Sequence, residues 1–132
     1  MTRILPKSTE TSAPYWEGCR QGELRLQKCP ACDRVQFYPR IMCSHCGNKE
    51  LGWIVASGNG RIASFTVVRR GISEAYQTPY IVALIDLDEG PRMMSHVFDV
   101  SAEDVRIDDP VVVDFEHWSE DIAMPVFRPA PG

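Results

Sequence analysis

Cys29, Cys32, Cys43 and Cys46 form two C-x2-C pairs separated by the ten residues DRVQFYPRIM. Two residues between cysteines let both sulfurs of a tight turn face one ion. Thiolate is a favoured ligand of zinc, which takes four ligands tetrahedrally in structural sites. Such a turn needs uncommon backbone angles just after the second cysteine of each pair. Gly47 supplies them freely, and Asp33 tolerates them better than most residues. The pattern therefore predicts a closed zinc site of four thiolates, structural rather than hydrolytic because no position stays open. Four unpaired thiols or two redox disulfides are the competing readings, and a paired motif flanked by ribbon-like strands favours metal. The same tetrahedron accepts iron. His45 lies inside the second pair but outside a ligand set already complete. Lys28, Arg34, Arg40 and Lys49 flank the site and partly offset its excess negative charge.

Other reactive residue types are sparsely placed. His96 falls in the alternating segment MMSHVF, and His117 stands beside Trp118 at a strand end. Neither is near a nucleophile pattern visible in sequence, although triads can be assembled from distant residues. Cys19, on a short amphipathic helix, reads as a small packing residue. Asp86, Asp88 and Glu89 suggest a cation site at first, but DLDEGP is more simply a charged turn.

The elements that position these residues follow from pattern. Residues 1–12 are polar and without period, a loose tail. Ser12 is a candidate cap for a helix APYWEGCRQ with Pro14 in its first turn and Gly22 past its end. Tyr15, Trp16 and Cys19 share a face of that helix. Leu24 and Leu26 alternate with polar residues, as in a strand entering the first cysteine pair. From Trp53 onward, WIVAS, GRIASFTVVRR, YIVALIDLD, RMMSHVF, VVVDFEHW and PVFRP are rich in β-branched and aromatic residues, with SGNG, DEGP and DDP between them. With WIVAS running into the next segment across a bulge or turn, this gives about five strands, with SAEDV as one helical turn. That count matches the five-stranded OB-fold barrel, with a small sandwich as the alternative. The fold class is mainly β: tail and short helix over 1–22, zinc ribbon over 23–50, OB-fold barrel over 51–132.

The 132 residues suit one medium domain, and no apolar run reaches the length of a membrane span. The N-terminus lacks a signal-peptide core, and five cysteines fit a reducing compartment better as ligands than as disulfides, so a cytoplasmic protein is expected. Net charge is -4; four thiolates and one zinc dication lower it to -6. So acidic a chain is a poor general binder of phosphate backbones.

The stretch YWEGCRQGELRLQKCPACDRVQFYPRIMCSHCG, with SGNGRIASFTVVRR, YIVALIDLDEGPRMMS and VFRPA, resembles a family of small acyl-CoA-associated proteins. These join a rubredoxin-like zinc ribbon to a C-terminal OB-fold and were long catalogued as a domain of unknown function. The resemblance covers about residues 14–130, and all four paired cysteines carry over; Cys19 has no counterpart role. It implies a non-catalytic accessory or scaffold subunit that binds acyl-CoA together with a thiolase-like enzyme, a hotdog-fold hydratase or a thiolase-like aldolase. CoA phosphates favour arginine. The candidates are Arg34 and Arg40 around the ribbon, Arg61 on the first barrel strand, and Arg69–Arg70 at its end; the plainer reading is solvated surface charge. The FYP spacer offers an apolar wall for a partner or pantetheine arm, or a seam between ribbon and helix. Two other function classes stand beside this one. An OB-fold single-stranded nucleic-acid binder is opposed by the acidic balance. A free-standing CoA-thioester enzyme lacks a visible catalytic constellation.

Overall fold

A computed structural model describes residues 5–71 and 73–131; the first four tail residues lie outside it. Helix α1 (Ala13–Arg20) begins as expected around Pro14 and ends before Gly22, whose φ is +78°. The expected cap differs. Ser12 has helical backbone angles, and its hydroxyl accepts from the Thr9 N–H at 2.9 Å instead of capping α1. Tyr15 and Cys19 are buried on one face, as their spacing requires.

Three short strands build the ribbon sheet: β1 (Arg25–Lys28), β2 (Val35–Gln36) and β3 (Gly52–Val55), in the order β2-β1-β3. The sequence placed WIVAS with the barrel. Instead Trp53 pairs with Gln27 and Ile54 with Leu26, so this segment is the third strand of the ribbon. A two-residue β2 leaves one flank of β1 thinly covered, and β3 completes the other. Local strand propensity is the same for either partner and does not choose between them.

Five antiparallel-rich strands then close a barrel: β4 (Asn59–Val68), β5 (Tyr80–Leu87), β6 (Arg92–Val97), β7 (Pro110–His117) and β8 (Ala123–Pro129). Their order is β4-β5-β6-β8-β7, with β6 and β8 parallel and β7 returning to β4. This is the Greek-key barrel that the strand count predicts. The inward residues Ile81, Ala83, Ile85 and Leu87 of β5 alternate as one buried face against Met93, Val97, Val111 and Phe127. A bulge at Ala63 bends β4 around the barrel. SAEDV is one helical turn, closed by the Val105 N–H on Ser101 O at 3.1 Å, and it drives Val105 into the core. Gly60 sits where β4 meets both β5 and β7.

Helix, ribbon and barrel share one apolar core. Tyr15, Cys19, Leu24 and Leu26 belong to the same buried cluster as Ile85 and Phe127. No helix among the described residues is long and apolar enough to cross a membrane.

Candidate metal centre and barrel face

The metal centre is assembled from two knuckles on opposite arms of the ribbon. In the first, the Asp33 N–H donates to Cys29 O at 2.8 Å; in the second, the Gly47 N–H donates to Cys43 O at 3.0 Å. Asp33 and Gly47 both carry positive φ, 65° and 80°, as the spacing demands. The four sulfurs lie within 4.8 Å of one another. Cys29 and Cys46 sulfurs are 3.6 Å apart, as are those of Cys32 and Cys43. Zinc–sulfur bonds of about 2.3 Å in a tetrahedron place sulfurs roughly 3.8 Å apart. A disulfide needs about 2.05 Å. The donor set therefore fits a tetrahedral four-thiolate zinc.

The surroundings favour thiolate at Cys29 and Cys43, whereas at Cys32 and Cys46 the backbone donors of Arg34 and Asn48 are outweighed by burial and the neighbouring sulfurs, which push those thiols up. The His45 and Cys46 N–H groups point at Cys43 Sγ from 3.4 and 3.5 Å, and these backbone donors hold the Cys43 thiol below its ordinary pKa. At Cys29 burial opposes ionisation, but the N–H groups of Cys32 and Ala31 and the Asn48 amide outweigh it and lower the pKa to about 6. Cys29 and Cys43 are buried, whereas Cys46 is at the surface. His45 is exposed and outside the ligand cluster, as expected. A structural zinc held by Cys29, Cys32, Cys43 and Cys46 is the site's chemistry.

Two buried glutamines, which the sequence reading passed over, hold the spacer between the knuckles. Gln27 and Gln36 are cross-strand partners on β1 and β2. Gln27 Nε2 donates to Arg40 O at 2.9 Å, and its Oε1 accepts from the Arg40 N–H at 2.8 Å. Gln36 Oε1 accepts from the Ser44 N–H at 2.8 Å, inside the second knuckle. Their only sequence signal is a polar residue at an inward strand position beside the cysteines.

The spacer thus fixed presents Phe37 and Tyr38 to α1. Tyr15 lies 5.6 Å from the Phe37 ring and 5.5 Å from the Tyr38 ring, between centroids. The FYP segment is therefore a seam between ribbon and helix, and it also forms one wall of an apolar hollow of about 330 Å³. The opposite wall comes from Met94, Val82 and Met124 of the barrel. A second hollow, about 580 Å³, continues past His96 toward Tyr80, Phe98 and Glu103.

The arginine candidates are not gathered. Arg61 and Arg69 stand at opposite ends of β4, eight residues and roughly 25 Å apart at about 3.3 Å per residue. Arg61 donates to Asp108 O at 3.0 Å. Arg69 and Arg70 are exposed beyond β4, next to the end paired with Tyr80; Arg34 and Arg40 are exposed on the ribbon. The residues weighed for catalysis also disperse. His117 is exposed at the end of β7, while His96 lies among the Tyr76, Tyr80 and Phe98 rings. Cys19 is fully buried beside Tyr15, and burial pushes its thiol up to about 12, so it packs rather than reacts. The acidic DLDEGP segment is a tight turn: Arg92 pairs with Asp86 at 2.6 Å, and Glu89 accepts from the Ser57 N–H.

Known proteins match both halves of this arrangement. Residues 16–52 match the description "ChsH2, rubredoxin-like zinc ribbon domain", and residues 53–116 match "ChsH2, C-terminal OB-fold domain". A "DUF35 domain-containing scaffold protein" of Methanothermobacter thermautotrophicus is 33% identical over 86% of each chain. A "probable enoyl-CoA hydratase alpha subunit" of Thermomonospora curvata is 32% identical over 97% of this chain, which spans 40% of that relative's length. Among solved structures, the "Ltp2-ChsH2(DUF35) aldolase" superposes with a TM-score of 0.88 at 31% identity, covering 96% of this chain and all of that one. The chain belongs to the ChsH2 family, in which a rubredoxin-like zinc ribbon is joined to a C-terminal OB-fold.

Proposed function

We propose that this chain is a non-catalytic accessory subunit that docks on a thiolase-like enzyme, a hotdog-fold hydratase or a thiolase-like aldolase and binds acyl-CoA jointly with it, in the cytoplasm. One observation carries the reading: the hollow where ribbon meets barrel opens between exposed apolar side chains, Tyr38 and Met94, the latter 67% exposed. Burying apolar area is worth about 25 cal/mol per Å², so a surface of this kind is stabilised by a partner rather than by water. The metal shell is closed and offers no substrate position. Relatives named as a scaffold protein and as a hydratase subunit support the same reading. In this reading Arg69 and Arg70, adjacent and exposed, are the first choice for the CoA phosphates, with Arg34, Arg40 and Arg61 at greater separation.

The test is co-expression with a thiolase-like or hydratase-like enzyme from the same organism. Co-elution in fixed stoichiometry is expected, with acetyl-CoA bound more tightly by the complex than by either part, and no thioester turnover by this chain alone. Turnover by the purified chain that disappears in His96→Ala or His117→Ala would replace the accessory reading with an enzyme. Submicromolar oligonucleotide binding at physiological salt, without any CoA response, would replace it with nucleic-acid binding.

A further inference from the structure

The outer face of β5–β6 breaks the alternation expected of a sheet that faces water. Inward positions of both strands fill the core. Outward positions of such a sheet are normally polar. Here they are Tyr80, Val82 and Leu84 on β5, with Met94 and His96 on β6 and Phe98 just past it; only the far end, the Asp86–Arg92 ion pair, is charged. Val82 is registered opposite His96 and Leu84 opposite Met94, so these side chains form one continuous band. On β4 next door the outward positions include Arg61, Ser64 and Thr66, all exposed. The apolar band is therefore confined to one face, the strand 2–3 face on which OB-folds take ligands.

Charge narrows the ligand. The band runs between the two hollows, which meet at His96. Among the described residues no lysine or arginine lines either hollow, and the carboxylates that do are Asp99, Glu103 and Glu116. Arg128, over the Phe98 ring, pairs with Asp99 at 2.6 Å. Glu103 is exposed at the rim of the larger hollow. A phosphate chain laid through the two hollows would meet carboxylates and no lining cation, and the arginines nearest the face, Arg92 and Arg128, are paired with Asp86 and Asp99, the reverse of what single-strand binders present. An extended polypeptide of the opposite sign is complementary, with apolar side chains in the smaller hollow and a cation at the acidic end.

We propose that the β5–β6 face receives an extended segment of the partner enzyme, which sets an apolar side chain against Tyr38 and Met94 and a lysine or arginine against Glu103. This rests on the accessory-subunit reading and names the surface through which it works. Arg69 and Arg70 line neither hollow, although the loop they open forms one wall of the larger hollow through Tyr76 and Pro79.

The experiment uses the complex with the thiolase-like or hydratase-like enzyme that co-elutes with this chain and three variants of exposed residues: Met94→Asp, Glu103→Lys and, as a control off this face, Ile107→Asp. Dissociation constants are measured at low and physiological salt, with zinc content and circular dichroism confirming that each variant is folded. Met94→Asp is expected to weaken binding at least tenfold. Glu103→Lys is expected to weaken it three- to tenfold at low salt and to flatten the salt dependence; Ile107→Asp stays within twofold. Wild-type binding with Met94→Asp and Glu103→Lys unchanged overturns the proposal while leaving the accessory reading intact. If no such enzyme binds the wild-type chain at all, both fall. If Met94→Asp abolishes acetyl-CoA binding but not enzyme binding, the face is a substrate surface and the proposal is wrong.

Discussion

Gln36 lies directly across the β1–β2 ladder from Gln27 and donates its amide N–H to Gln27 Oε1 at 2.7 Å. Through this pair one knuckle of the metal site is tied to the other arm of the ribbon. Gln36→Leu strands the Ser44 N–H and takes a donor from Gln27. A buried polar group left without a partner costs about 1–3 kcal/mol. The expected outcome is a lower melting temperature and faster zinc loss to a chromophoric chelator. The Gln27→Leu/Gln36→Leu double variant should lose less than the sum of the singles, because the two act as one network.

Freshly reduced protein is expected to carry about one tightly bound zinc per chain, checked by metal analysis. Zinc binding contributes about 10–16 kcal/mol in finger peptides, far more than the glutamine network adds between the two knuckles. Chelation or Cys43→Ser should therefore disorder the knuckles and spacer, residues 29–50, while the barrel and the core-packed β1 keep their β signal in circular dichroism. Because only thiolates bind, lowering the pH should release the metal as the sulfurs protonate.

The two knuckle turns allow a contrast. A Cβ at Gly47 would meet nothing within 4 Å, so Gly47→Ala tests backbone conformation alone at φ +80°. It should cost roughly 1–2 kcal/mol. Asp33→Gly relaxes the equivalent position and removes only an exposed ion pair with Lys28 at 3.8 Å, so its effect should stay within about 0.5 kcal/mol. Thermal unfolding of both variants with zinc bound decides it.

Crowding, not torsion, governs Gly60. An added Cβ would stand 2.7 Å from Asp86 O and 2.8 Å from Ile85 Cγ2, on a strand held on both sides. Gly60→Ala should destabilise the barrel by about 1–3 kcal/mol. At Gly18 the nearest atoms are Arg25 Cγ and Cδ at 2.7 Å, on a side chain held by Pro14 O, Gln21 and Glu23. There Gly18→Ala should cost less than Gly60→Ala, because helix propensity offsets part of displacing a side chain rather than backbone. Chemical denaturation of the two variants provides the comparison.

The sequence announces features whose physics is local. The cysteine spacing requires paired knuckle turns, and the residues able to adopt positive φ, Asp33 and Gly47, stand where they must. Barrel strands are legible because alternation and turn residues are written into each segment. The pairing of Gly52–Val55 with the ribbon was not legible because its partner, β1, lies more than twenty residues upstream and leaves no mark on its own composition. Gln27 and Gln36 escaped notice for a similar reason: glutamine is usually exposed, and only the folded spacer supplies its acceptors and donors. The apolar outer face was hidden within alternating segments, because sequence marks which residues are apolar but not which side of the barrel they cover.

Closure of the barrel has a further consequence for how this protein is joined to others. The ring closes through few bonds, β4 meeting β7 only over Asn59–Arg61 and β6 meeting β8 at Val97, so backbone able to take a foreign strand lies on the barrel as well as on the ribbon, where β2 and β3 are the outer members. Those borders are two and four residues long, the longer spanning roughly 13 Å at about 3.3 Å per residue. So short a template cannot specify a register. Selectivity in any assembly through the ribbon borders must therefore be written in side chains, and it can drift by point substitution while the hydrogen-bonded frame beneath stays unchanged.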